Sequence, residues 1–236
     1  PGDVPAAGRD NTLKLVNLYR WMVGLDSVTL DSSKNQEAQA CALMMHANDT
    51  LNHTPPTSWT CYTEAGASGA GNSNIATMPA VQAMDMYMQD WGNETTIGHR
   101  RWILSNGLSS VGVGSTSEYS CLWILHYPLS GGNAWTAWPP PGPFPYEAVV
   151  MSWVGLDEVG WSIQSDTIDL SGATVTVTDG TTNMPVTVSS LLPNYGSEYA
   201  ILITPSGWTS QVGHTYHVEV TGISTPITYD VEIVDC

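Results

Sequence analysis

Apolar positions recur at helical intervals in the first third of the chain and at strand intervals in the last third. In NTLKLVNLYRWMVGL, residues 11–25, Leu15, Leu18, Tyr19 and Met22 fall on one stripe and predict an amphipathic helix. Asp10 or Asn11 suits its start and Gly24 its end. In LDSSKNQEAQACALMMHAN, residues 30–48, Asp31 is the capping candidate. There Ala38, Cys41, Ala42, Met45 and His46 form a stripe whose small residues predict close packing against a neighbour. Residues 51–76 are dense in Pro, Gly, Ser and Thr and read as a long ordered loop. A third helix is predicted from about Met78 to Asp90, with Pro79 in its first turn and Met84, Tyr87 and Met88 on one side.

The period then changes. SSVGVGSTSEYSCLWILHY, residues 109–127, reads as a strand pair turning at STSE. Pro139, Pro140, Pro141, Pro143 and Pro145 make either a stiff linker or a packed crossover, and the domain boundary is placed there. From about Val149 onward, ATVTVTDG, PVTVSS, YAILITP, TYHVEVTG and ITYDVEIVD alternate at period two. That spacing predicts an immunoglobulin-like β-sandwich. The expected organisation is a mixed helix–strand domain over residues 1–137, a proline-rich connection over 138–148 and a β-sandwich over 149–236.

Charge narrows the partners. The formal net charge is −16, and all six Lys and Arg lie at or before Arg101. Nucleic acid, which needs clustered cations, is excluded, as is docking on anionic lipid. No run of 18 apolar residues is present, so no membrane span is expected. The opening PGDVPAAGRD reads as a mature or trimmed terminus, and four cysteines suit a secreted, oxidised protein. The favoured pairing is Cys41–Cys61 with Cys121–Cys236, against free buried thiols. Three glycosylation sequons, at Asn48, Asn52 and Asn93, decide nothing alone.

IGHRRWIL, residues 97–104, concentrates His99, Arg100 and Arg101 ahead of three apolar residues. Around it the order of elements resembles the CAP superfamily (cysteine-rich secretory proteins, antigen 5, pathogenesis-related proteins), above all its bacterial-type members. VNLYRWMVGLDSV resembles the family's first helix, and AQACALMMHANDTLNH the helix leading to its first cavity histidine, here His53. AGNSNIA resembles Gly-Glu-Asn-Ile-Ala, AVQAMDMYMQD the helix before the second histidine, and GHRRWIL the Gly-His-Arg segment carrying His99. The resemblance covers residues 10–127 and implies an α-β-α sandwich there. The fold class is therefore α+β, with that sandwich followed by an all-β one.

The family's cavity gathers two histidines and two acidic residues, and some members hold zinc or another divalent metal. His53 and His99 match the histidines and are the metal candidates. One acidic position is Ser73, a departure that weakens a metal site or general base. Asp85, Asp90 and Glu94 compete for the other, and Glu64 flanks the same loops. Zinc or another divalent metal is the only cofactor the resemblance implies. Ser73 beside a histidine invites a nucleophile reading, but no G-x-S-x-G elbow supports it.

Arg100 and Arg101 either capture an anion or pair internally with Asp85, Asp90 or Glu94, and internal pairing is preferred. Trp135, Trp138, Trp153, Trp161 and Trp208 are read as seam-packing rather than sugar platforms. His214 and His217, and the turn at Asp179, give no metal-ligand spacing. The expected function is a secreted binding module with a histidine-containing polar cavity, meeting an extracellular ligand or cell-surface component. The competing class is a metal-assisted or histidine-based hydrolase of peptide or ester. A third is a purely structural surface protein.

Overall fold

A computed structural model describes residues 3–126, 131–149 and 154–235. Internal contacts divide the chain into two units. The first takes the residues up to Trp21, Asp26–Tyr87 and the described residues from Gly107 to 126. The second takes Met22–Leu25, Met88–Asn106 and the described residues from Gly131 on.

In chain order the elements of the helical region are α1 (Ala6–Met22), β1 (Thr29–Leu30), α2 (Ser32–Asn48), α3 (Glu64–Gly71), β2 (Ser73–Ala76), α4 (Ala80–Gln89), α5 (Gly98–Ile103), β3 (Ser110–Ser115) and β4 (Ser120–Trp123). Helix α1 starts a turn earlier than the periodicity predicts, so Asp10 and Asn11 lie inside it. Its buried face is also rotated. Thr12, Val16, Tyr19 and Arg20 are buried, while Leu18 is 45% exposed. Two polar residues earn that face by satisfying themselves. The Thr12 hydroxyl bonds Gly8 O at 3.0 Å, and the Arg20 guanidinium donates to Asp26 O at 2.8 Å and Leu108 O at 3.3 Å. Burial lowers the Arg20 pKa to about 10, opposed by Asp26.

Helix α2 is capped as expected, Asp31 Oδ1 accepting from the amides of Ser33 and Lys34 at 2.8 and 3.0 Å. Ala38, Cys41, Ala42, Met44 and Met45 are fully buried, each methionine contributing about 2 kcal/mol. His46 leaves that stripe and is exposed. The small residues let neighbours reach the helix backbone. A Cβ on Gly114 of β3 would stand 2.0 Å from Ala38 O, and one on Gly69 of α3 would stand 2.2 Å from Glu37 O. No side chain fits either gap.

The first sheet has the order β1-β3-β4-β2, parallel between β1 and β3 and antiparallel elsewhere. Gly112 and Gly114 face α2, and the alternating Val111 and Val113 are fully buried on the opposite side. Both faces of the sheet are therefore covered, the layering expected for this region. Residues 51–76 are not one loop, since α3 and β2 lie within them. Thr63 Oγ1 caps α3 on Gly66 N at 2.9 Å, and Gly-Ala-Ser composition hid the helix.

The cysteine pairing also differs from expectation. Cys41 of α2 bonds Cys121 of β4 across a sequence separation of 80. Cys61 is a free, exposed thiol, and Cys236 lies outside the described residues. Cys41 and Cys121 share the core with Met44, Met45 and Ile75, so burial rather than nearness in sequence selects the pair.

The remaining elements are β5 (Thr136–Trp138), β6 (Gly142–Pro145), a 3₁₀ turn (Tyr146–Val149), α6 (Leu156–Val159), β7 (Trp161–Ser165), β8 (Thr174–Asp179), β9 (Thr182–Asn183), β10 (Val186–Ser190), β11 (Tyr199–Pro205), β12 (Thr215–Thr221) and β13 (Ile227–Val234). They form two sheets, β10-β11-β7-β5 and β6-β13-β12-β8-β9. Rings meet between the sheets: Trp161 and Tyr216 at 5.7 Å, Trp138 and Phe144 at 5.0 Å. Strict alternation along β12 and β13 turns one face inward and the other to solvent. The proline stretch is a packed crossover, with β5 in one sheet and β6 parallel to β13 in the other. Trp135 and Trp208 also stack inside this unit, on Tyr229 and Tyr216, while Trp153 lies outside the described residues.

Two measurements check this packing. Replacing Cys41 and Cys121 together by alanine lowers the unfolding free energy by about 4 kcal/mol, read from the urea midpoint. An unmoved midpoint refutes the bond. Tyr229 is buried, its hydroxyl has no hydrogen-bond partner among the described residues, and burial pushes its pKa up. Tyr229→Phe is therefore neutral or stabilising by about 1 kcal/mol at pH 7. Above about pH 10 the unfolded parent loses a phenolic proton that the folded parent keeps, so parent stability falls. The variant's advantage over the parent then widens, as denaturation on either side of that pH would show.

Candidate functional site

The segment between α4 and α5 is built around one carboxylate. Asp90 follows α4 with φ +58 and is 2% exposed. Its Oδ1 accepts from His99 Nδ1 at 2.7 Å and from Asn93 Nδ2 at 3.1 Å, and its Oδ2 from Arg100 N at 3.2 Å. Asn93 Oδ1 accepts from the Thr96 hydroxyl at 2.7 Å, and the Thr96 oxygen accepts from Gly98 N at 3.2 Å. This chain of short polar residues turns the backbone into α5 and sets the orientation of the His99 ring. The His99 side chain is 28% exposed. An imidazole held by a buried carboxylate through Nδ1 presents a fixed polar edge.

Arg100 and Arg101 point the other way and are fully buried, but not into carboxylates. Arg100 donates to Met88 O at 2.6 Å, Gln89 O at 3.1 Å, Gly160 O at 3.0 Å and Ser162 Oγ at 3.2 Å. Arg101 donates to Thr96 O at 3.1 Å, Leu192 O at 2.7 Å and Ser197 O at 2.9 Å, and to Ser197 Oγ. Pairing is internal as expected, yet the partners are carbonyl and hydroxyl oxygens. Asp90 helps Arg100 only through its field. Burial lowers both guanidinium pKa values to about 10, well above neutrality, so both stay charged. Glu94 takes no part, since its Oε1 accepts Gly92 N at 2.8 Å in its own turn.

The other candidates belong to the first unit. His53 is exposed in the loop after α2, and its Nδ1 donates to Ala70 O at 2.8 Å. Ser73 opens β2, opposite Trp123 of β4, and is 1% exposed with no hydrogen-bond partner for its hydroxyl among the described residues. A serine without a hydrogen-bonded base is no activated nucleophile. Asp85 of α4 accepts from the Tyr19 hydroxyl of α1, and burial, helped by that carboxylate, pushes the Tyr19 pKa up. Glu64 is exposed at the start of α3, 3.4 Å from the Tyr62 hydroxyl. Asp90, His99 and Arg100 are thus assembled together, and Asp85 and Glu64 are engaged elsewhere.

Among the described residues no three His, Cys, Asp or Glu side chains converge as a metal site would require. With an alcohol at Ser73 in place of a carboxylate, the donor set is short for zinc. In the sandwich, His214 and His217 bond Asp179 and Asp230 at 2.6 and 2.7 Å. His217 stands directly opposite Asp230 across the β12–β13 ladder. Each of these imidazoles is hydrogen-bonded to a single carboxylate.

Sequence reasoning left Asp90 as one of three choices, named Asn93 only as a sequon, and did not single out Thr96, Ser162 or Ser197. The signal for the first two was present, since Asp, Asn and Thr recur at three-residue intervals ahead of Gly98, as polar turn chains do.

Residues 13–127, which contain His53, Ser73, Asp90 and His99, match the family described as the cysteine-rich secretory protein family, CAP. This part of the chain belongs to the CAP family. No curated protein matches the chain significantly. Within the CAP segment, the His99–Asp90 pair joins a partly exposed imidazole to a buried carboxylate. Asp90→Ala leaves an amide, an imidazole and a carboxamide without their acceptor and costs about 3 kcal/mol of stability. Asp90→Asn keeps the shape and costs about half as much. Thermal unfolding of both variants checks this, and equal losses would contradict the ordering.

Proposed function

We propose that the chain is an extracellular binding module and that His99, oriented by Asp90, is a polar contact for its ligand. The observation that carries the reading is the 2.7 Å bond that fixes a partly exposed imidazole on a buried carboxylate. That bond orders the ring before any ligand arrives, which lowers the entropic cost of recognition.

The chemistry needed for hydrolysis has less support. Ser73 holds the family's acidic position and has no base bonded to it, and the metal donors named above fall short of a zinc set. The family's typical setting, the cystine and the large negative charge favour work outside the cytoplasm. No described helix is long and apolar enough to cross a membrane.

The test combines arrays of cell-surface glycans and peptides with a chromogenic ester assay and calorimetric zinc titration. Retention on an array ligand that His99→Ala weakens about tenfold, roughly one positioned hydrogen bond, supports the reading. Ester or peptide turnover that His99→Ala abolishes, or stoichiometric zinc uptake at neutral pH, replaces it with the metallohydrolase.

A further inference from the structure

An unpaired strand edge is a template for another strand unless something blunts it. Among the described residues of the β-sandwich, every sheet edge but one is blunted. Strand β5 is three residues long and runs into Pro139, β6 carries Pro143 and Pro145, and β9 is two residues long. The remaining edge, β10, has five residues without proline or charge, and no described strand pairs with its outer side. From Gly180 to Ser197 the chain has no charged side chain.

The ladder fixes which backbone groups are open. Leu191 N donates to Ala200 O and Ser206 N to Pro185 O, both at 2.9 Å, so the odd-numbered residues of β10 exchange bonds with β11. Antiparallel alternation then turns the N–H and C=O of Val186, Val188 and Ser190 to the outer side. The opening is bounded, since Met184 N donates to Val177 O at 2.8 Å and Leu192 N to Thr95 O at 3.2 Å. Val188 shares the face of the fully buried Ile203 yet is only half-buried itself, and Thr187 and Ser189 are exposed on the opposite face.

We propose that β10 pairs with β10 of a second copy of this chain, antiparallel about a two-fold axis at Val188. Val188 then faces Val188, and Val186 of each copy faces Ser190 of the other. Each of these residues gives one donor and one acceptor, so about six backbone bonds close. Moving the axis by one residue brings Met184 or Leu192 into the ladder, and their amides are already committed. The register is therefore specified. On the exposed face, Thr187 of each copy stands opposite Ser189 of the other. A two-fold axis sets an edge against its own image, so a charged edge would repel its copy. This one, in a chain of net charge −16, has no charge to repel.

Sedimentation equilibrium over a concentration series up to about 200 µM, the range a short edge contact requires, measures the association. The weight-average mass rises from 25.4 kDa toward twice that value. It rises further in about 0.5 M salt, where repulsion between the two acidic chains is screened. Val188→Pro removes the central outward donor of each copy, which β11 does not use, and abolishes the rise. Thr187→Lys with Ser189→Lys sets lysine against lysine twice across the axis and weakens the dimer about tenfold, although it reduces the net negative charge. Thr187→Lys with Ser189→Glu sets lysine against glutamate and holds the parent affinity within about threefold. Circular dichroism confirms that each variant is folded, and should Val188→Pro fail to fold, the two charge variants decide. The proposal is overturned if the parent stays monomeric throughout. It is equally overturned if folded Val188→Pro dimerises as the parent does, or if the two charge variants associate equally.

Discussion

Two buried guanidinium groups set the strictest condition on this structure. Removing a charge from water costs several kcal/mol, and only well-placed oxygens offset it. Arg100 and Arg101 meet the condition without a direct carboxylate bond. Main-chain carbonyls do most of the work, at the end of α4, in the turn before α5, before β7 and around residues 192–197. Carbonyls are fixed by the path of the backbone, so each such bond constrains a whole segment. A carboxylate on a side chain would have been more forgiving. The adjacent strands, α5 and the Ser162 and Ser197 hydroxyls are accordingly placed by the same two residues.

The same logic explains Asp90. It bonds no guanidinium, and its charge is spent on an imidazole, an amide and a carboxamide. The neighbouring arginines, held by carbonyls, do not neutralise it by contact. His99 is left oriented at the edge of the unit while its two neighbours in sequence are sunk beneath it. Three consecutive residues thus divide between a partly exposed imidazole and two buried guanidinium groups, according to which way each side chain points.

What could be read from the sequence follows from the range of the forces involved. Period-two alternation located β8, β12 and β13, because each buries one face and wets the other, while the β-branched runs marked β10 and the continuously buried β11. The Asp31 cap was equally local and equally readable. The buried face of α1 was not, because Arg20 and Thr12 are buried by bonds to partners that sequence spacing does not reveal. Helix α3 was missed since glycine and serine make a poor helix signal, while Gly69 is there for contact with α2. The cystine was mispaired by reasoning from nearness in sequence, although burial decided it. The family pattern picked out His53 and His99, which belong to different units of the structure. That Asp90 rather than Asp85 or Glu94 would hold His99 depended on a three-dimensional turn.

The position of α5 bears on how such a chain could have arisen. Its residues match the CAP family, yet Arg100 and Arg101 are satisfied by Gly160, Ser162, Leu192 and Ser197, which lie beyond the matched segment. A gene fragment encoding the matched segment alone would produce two guanidinium groups stripped of most of their acceptors. The β-sandwich is therefore not a detachable passenger. Acquiring it, or losing it, would require compensating change at the two arginines, and this lineage's history should be written at those positions.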